Sequence, residues 1–143
     1  MARRFKIFSR CEGAVAVEFA ILLPVFVLLV FGSMDIGHAF YMKQMVSNAS
    51  REGARYGARY TTDTGGNHLI PNAFSPTIAS WVTSKYSSLV PNLQVPPPVG
   101  DGYTTGVAGK DLSVTVTGTK HWWVVPGLGP TTDISATTVI TVE

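Results

Sequence analysis

GAVAVEFAILLPVFVLLVFGSM occupies residues 13–34, and how it is read decides the architecture. From Ala14 to Met34 its 21 residues carry one formal charge, Glu18. As a helix rising about 1.5 Å per residue, the run would reach about 31 Å, enough to cross the hydrocarbon core of a bilayer. A cleaved secretory signal has a shorter apolar core, about 7–15 residues, closed by a small-x-small site. Here the run leads into Asp35-Ile36-Gly37-His38, which offers no such site. The stretch reads as a retained anchor. Arg3, Arg4, Lys6 and Arg10 precede it, whereas Lys43 is the first basic residue after it. The positive-inside rule then puts the N-terminus in the cytoplasm and the bulk of the chain outside.

Composition agrees with an anchored chain. Of 143 residues only 14% are charged against 45% hydrophobic, below the quarter or so charged that is ordinary for soluble domains. The formal charge of +2 is unevenly placed: residues 1–12 carry a net +3, and the remainder a net −1. The basicity belongs to the tip, so no nucleic-acid-binding surface is expected. Cys11 is the one cysteine, so an exported fold must hold without an internal disulfide. It lies before the apolar run, the wrong side for a lipoprotein acceptor.

Beyond the anchor the helical pattern continues. Ile36, Ala39, Met42, Met45, Ala49, Gly53, Tyr56 and Tyr60 recur mostly at three- and four-residue steps, while Arg51, Arg55 and Arg59 stack on another face. The spacing predicts one rod from about Ala14 to Tyr60, with bends or close contacts at Gly32, Gly37, Gly53 and Gly57. Pro24 frees the carbonyl of Ala20 and marks a candidate bend. After a turn-rich stretch, Ser75-Pro76 offers a cap and a first helical position for a helix over 76–89. Pro91 and Pro96-Pro97-Pro98 form an extended connector. Asp101-Gly102 and Gly106 through Gly109 read as turns. Alternation over Leu112, Val114 and Val116, with a candidate continuation to Trp122-Trp123-Val124-Val125, predicts one strand, and Ile134 to Val142 a second. The expected fold is α+β. A basic leader (1–13) precedes a transmembrane helix (14–34), a helical extension outside the membrane (35–60) and a small head with one helix and a short antiparallel sheet (61–143).

The site of interest lies where the basic tip meets the apolar run. Gly13 is a small residue at that border, where a membrane-embedded peptidase on the cytoplasmic side could cut. Cleavage would expose the amino group of Ala14 and make Glu18 the fifth residue of the shortened chain. A carboxylate within a membrane helix costs about 2.5–3.5 kcal/mol at the centre and less near an end. The expected partner of Glu18 is the amino terminus of a neighbouring copy or related subunit, with Phe19 beginning the packing surface.

Three segments taken in order carry a family likeness. Arg10 and Gly13-Ala14-Val15-Ala16-Val17-Glu18-Phe19 through Pro24 resemble a type IV prepilin-type signal. Ala49-Ser50-Arg51-Glu52-Gly53-Ala54-Arg55-Tyr56-Gly57-Ala58 is a helix-end motif, and Val125-Pro126-Gly127-Leu128 before the last strand is a tail motif. Together they resemble the TadE-like pseudopilins of the tight-adherence (Flp pilus) assembly system. The resemblance implies a bacterial inner-membrane protein with a periplasmic head, processed by a prepilin peptidase. It implies as partners membrane lipid, other pilins or pseudopilins and the pilus assembly platform.

The alternatives are a major pilus subunit, an uncleaved single-pass scaffold or receptor, and a tethered enzyme. The 83-residue head argues against a major subunit, since major Flp-type pilins are little more than the helix. No catalytic role, cofactor, metal or small-molecule substrate is expected. His38, His68 and His121 lack metal-ligand spacing, and Gly127-Leu128-Gly129 lacks the rest of a phosphate loop. Arg51, Arg55 and Arg59 are a solvated face or a lipid or partner contact. Trp122 and Trp123, as strand neighbours, should point to opposite faces, one into the core and the other a candidate subunit contact.

Overall fold

The computed structural model describes residues 10–124 and 129–143. Its first element, helix α1, runs from Arg10 to Ala58 without interruption at Pro24. α1 has two regimes along its length. Residues 13–34 are almost entirely exposed, including Phe19, Leu22, Phe26 and Leu29, so nothing in the described chain packs on them. From Asp35 onward one side is buried. Met42, Val46, Ala49, Gly53, Ala54, Tyr56 and Gly57 form the wall against which the head folds. Ile36 and Tyr60, assigned to the apolar face by spacing, are instead exposed. The head approaches along the line of Asp35, Met42, Val46 and Ala49, from which Ile36 is turned by about 100°. Tyr60 lies past the helix end.

The head consists of a 3-10 turn (Pro71–Ala73), helix α2 (Ile78–Tyr86), a short helix α3 (Asp101–Thr105) and strands β1 (Asp111–His121) and β2 (Thr131–Thr141). The strands pair antiparallel, from Asp111 opposite Thr141 to His121 opposite Thr131. Alternation sorts the side chains as expected for a half-buried sheet. Leu112, Val114 and Val116 are buried against α1 and α2, whereas Thr115 and Thr137 meet through their hydroxyls on the outer face at 2.9 Å. The Pro-rich connector lies along the other edge of β1. Gln94 exchanges backbone hydrogen bonds with Thr117, and Val99 does so with Ser113. Segments that cover a strand edge in this way satisfy donors that would otherwise invite pairing with another chain.

Three boundaries depart from the sequence reading. α2 starts at Ile78 because Thr77 is its cap, accepting the backbone N–H of Ser80 through its hydroxyl. Ser75 and Pro76 therefore precede the helix, and the peptide between them is cis. Asp101-Gly102 opens a helix rather than a turn, closed by Gly106 at φ +63°. β1 stops at His121, so the two tryptophans lie past the strand and its alternation does not orient them.

Gly53 and Gly57 explain how close the layers come. A Cβ at Gly57 would lie 2.5 Å from Ile78 Cδ1 and 2.6 Å from Leu112 Cδ2. One at Gly53 would lie 2.8 Å from Val82 Cγ2. Gly32 and Gly37 have nothing comparable near them, so the expected close contacts occur only at the second pair. Gly57→Val should therefore destabilise the head by about 3 kcal/mol, the upper range for overpacking. Gly37→Ala should cost nothing and gain up to about 1 kcal/mol of helix propensity. Urea unfolding of the detergent-solubilised chain, followed by aromatic circular dichroism, would measure both.

Candidate functional site

The residues singled out at the membrane end are displayed, not enclosed. Gly13, Ala14, Glu18 and Phe19 are all exposed on α1, and among the described residues Glu18 forms no ion pair. Residues 1–9 of the leader and the tail motif at residues 125–128 lie outside the described residues. Pro24 sits within the exposed run, eleven residues before Asp35. What these residues can do chemically is offer a carboxylate and an apolar stripe to a neighbour.

The built site of the molecule lies at the junction of rod and head. Lys120 is fully buried and its ammonium donates to Asp35 Oδ1 at 2.5 Å, with Asp35 only 2% exposed. The same ammonium donates to the carbonyl of His121. Asp35 Oδ2 accepts the backbone N–H groups of Trp123 at 2.9 Å and Val124 at 3.2 Å. Both carboxylate oxygens are thus occupied, and Lys120 lies 4.9 Å and 5.4 Å from the ring centres of Trp122 and Trp123. Position 120 falls on the core side of β1, in phase with Leu112, Val114 and Val116. That phase was the available signal: a lysine in an inward position requires an anion, and the rod supplies Asp35. Sequence reasoning missed the pair because 85 residues separate its members.

The tryptophans divide differently from expectation. Trp122 is half-buried and its indole N–H donates to Thr132 Oγ1 at 2.7 Å, while Trp123 is 69% exposed and stacks on His38 at 6.1 Å. Neither enters the main core. Arg51, Arg55 and Arg59 are exposed in a row. Arg59 is held over the ring of Tyr56 at 4.2 Å, a contact worth about 0.5–1 kcal/mol at an exposed site. Tyr56 itself stacks on Trp81 and donates to the carbonyl of Pro76. Beside this stripe, burial and the neighbouring Glu52 carboxylate raise the Tyr86 phenol above its ordinary value. In the loop after α1, the Asp63 carboxyl is lowered by hydrogen bonds from Asn67 and Gly65. Among the described residues no three His, Cys, Asp or Glu side chains are grouped to hold a metal.

The described chain has one helix long and apolar enough to cross a membrane, joined to an α+β head, which fits a single-pass protein. Residues 13–55 match the family model described as TadE-like protein. That stretch is similar to the TadE-like family. The match begins at Gly13 and covers somewhat under a third of the chain. No curated protein and no solved structure matches.

The ion pair makes an ordered prediction. Removing one member leaves the other as an uncompensated buried charge, which costs more than replacing both. Lys120→Met should lower the urea midpoint of the head more than Asp35→Asn/Lys120→Met does, so the double variant is less damaged than the single one. A double-mutant cycle in detergent measures that coupling, and strict additivity would contradict it.

Proposed function

We propose that the chain is a membrane-anchored pseudopilin or minor pilin that takes part in assembling a tight-adherence pilus. The observation that carries the reading is where the TadE-like match starts: Gly13, the small residue between the basic tip and the exposed apolar rod. A prepilin peptidase cuts after Gly13, and the amino group of Ala14 becomes the new terminus. The N-terminus lies in the cytoplasm and the head in the periplasm of the bacterial inner membrane.

Glu18 is the docking carboxylate. It stands alone on an apolar surface, and the ammonium of a neighbour's new terminus is a partner of the right charge and position. Phe19 and the exposed residues that follow pack against neighbouring helices, with Pro24 permitting a local bend where the Ala20 carbonyl lacks its helical donor. Arg51, Arg55 and Arg59, exposed in a row along the end of α1, are the surface through which the chain meets other subunits or the assembly platform. The size of the head supports a component present in few copies.

Two experiments test the reading. N-terminal sequencing of protein from its host should begin at Ala14, and Gly13→Phe should block processing and leave a slower-migrating species. Recovery of residues 1–13 on the membrane-resident protein would favour the uncleaved scaffold instead. Glu18→Ala should insert into the membrane normally yet abolish pilus formation when pili are counted by electron microscopy. Normal piliation would refute the docking role.

A further inference from the structure

The surface of α1 left free by the head bears no formal charge from Phe19 to Tyr41, because the one acid in that interval, Asp35, is sealed against Lys120. The interval spans about 33 Å, close to the roughly 30 Å of a bilayer core with the first part of its headgroup layers. A span ending at Met34 instead leaves only about 24 Å between Glu18 and the outer boundary.

Large apolar side chains gather at the far end of the longer interval. Phe40 is 74% exposed and Trp123 69%, with Ile36 and Tyr41 near half. They flank the helix. On one side the His38 ring lies between Trp123, at 6.1 Å, and Tyr41, at 6.3 Å. On the other, Ile36, Phe40, Trp122 and Ile134 line a groove of about 280 Å³ with Lys43. The ammonium of Lys43 is held by the carbonyl of Ser135 at 2.6 Å. The nearby Asp133 is turned to the opposite face of the sheet, where it accepts from Thr119.

We propose that these side chains form a lipid-contact collar. It lies in the outer headgroup layer, sets the edge of the bilayer between Phe40 and Lys43, and seats the head directly on the membrane. Lipid is favoured over a second copy because the collar continues the uncharged surface of α1 without a break. Its indole and phenol rings also combine an apolar body with a polar edge, the property that concentrates such rings at membrane interfaces. Lys43 marks the aqueous side, its stem along the groove and its ammonium at the carbonyl of Ser135. Asp35 is below that edge, which is why it needs a partner from the head. The inference rests on the anchor reading and is independent of cleavage at Gly13.

The test is fluorescence quenching in phosphatidylcholine vesicles at high lipid excess, with bromine placed near the top of the acyl chains. In Trp81→Phe/Trp122→Phe, Trp123 is the remaining indole and should be quenched severalfold more strongly by brominated lipid than by aqueous acrylamide. In the otherwise native chain, Trp123→Phe alone should reduce the bromolipid-quenchable fraction, so the result does not hang on the double variant folding. Phe26→Trp in the Trp123→Phe chain serves as the reference within the bilayer. Quenching of the indole that Phe26→Trp introduces, with none at Trp123, would overturn the collar while leaving the anchor intact. Absence of quenching at both positions would overturn the anchor itself. An indole at position 123 protected from both quenchers would show a protein neighbour covering the patch, and would equally defeat the lipid assignment.

Discussion

A buried ion pair between Asp35 and Lys120 fixes where the rod ends and the head begins. Two charges removed from water are costly, and the attraction between them offsets that cost only when the remaining hydrogen-bonding capacity is met. Here it is met: the carboxylate takes the ammonium on one oxygen and two backbone N–H groups on the other, and the ammonium also reaches a carbonyl. The geometry ties the end of β1 and the first residues beyond it to one point on α1. The backbone of Trp123 and Val124 is held there, while Trp122 is placed by its own hydrogen bond to Thr132.

The rest of the interface depends on closeness. Gly53 and Gly57 remove two side chains from the face of α1, and the space is filled by Ile78, Val82, Leu112 and Val114. A helix end that reads as an isolated Gly-Ala-Arg-Tyr-Gly-Ala motif is therefore a packing surface for α2 and β1 together. It also explains why the head does not stand alone as residues 61–143. Its core includes Met42, Val46, Ala49, Ala54 and Tyr56 of the helix. A small domain buries a modest share of its surface, and a wall borrowed from the rod supplies the missing area.

The long helix and the hairpin were legible because each repeats a simple period over many residues. The apolar run from Ala14 and the alternation from Leu112 to Val116 left little choice of element. Legibility failed where one residue overrides a period or where partners are distant in the chain. Thr77 rather than Ser75 caps α2, a decision made by local backbone geometry. The five residues of α3 are too few to carry a period at all. Lys120 falls in the inward phase of that alternation, but its partner is not legible from the sequence, since Asp35 lies on another element and reads as the end of an anchor. Glu18 and Phe19 lie on the open surface of α1, while Trp122 and Trp123 take positions that alternation could not specify.

The division of α1 into a locked half and an open half has an energetic consequence. The open half exposes Val15, Val17, Phe19, Ile21, Leu22, Val25, Phe26, Leu28, Leu29 and Phe31, among others. Each such side chain is worth about 1.5–3 kcal/mol when removed from water, so the stretch as a whole favours an apolar surrounding by an amount on the order of 20 kcal/mol. No excursion through water can meet that cost against the marginal stability of a small head. The anchor can therefore leave lipid only by exchanging lipid contacts directly for contacts with other apolar helices. Within the bilayer such an exchange has little hydrophobic drive, because lipid tails are as apolar as leucine. Close packing and polar pairing must then select any partner, and in the proposed reading it is Glu18, on the open half, that confers the choice.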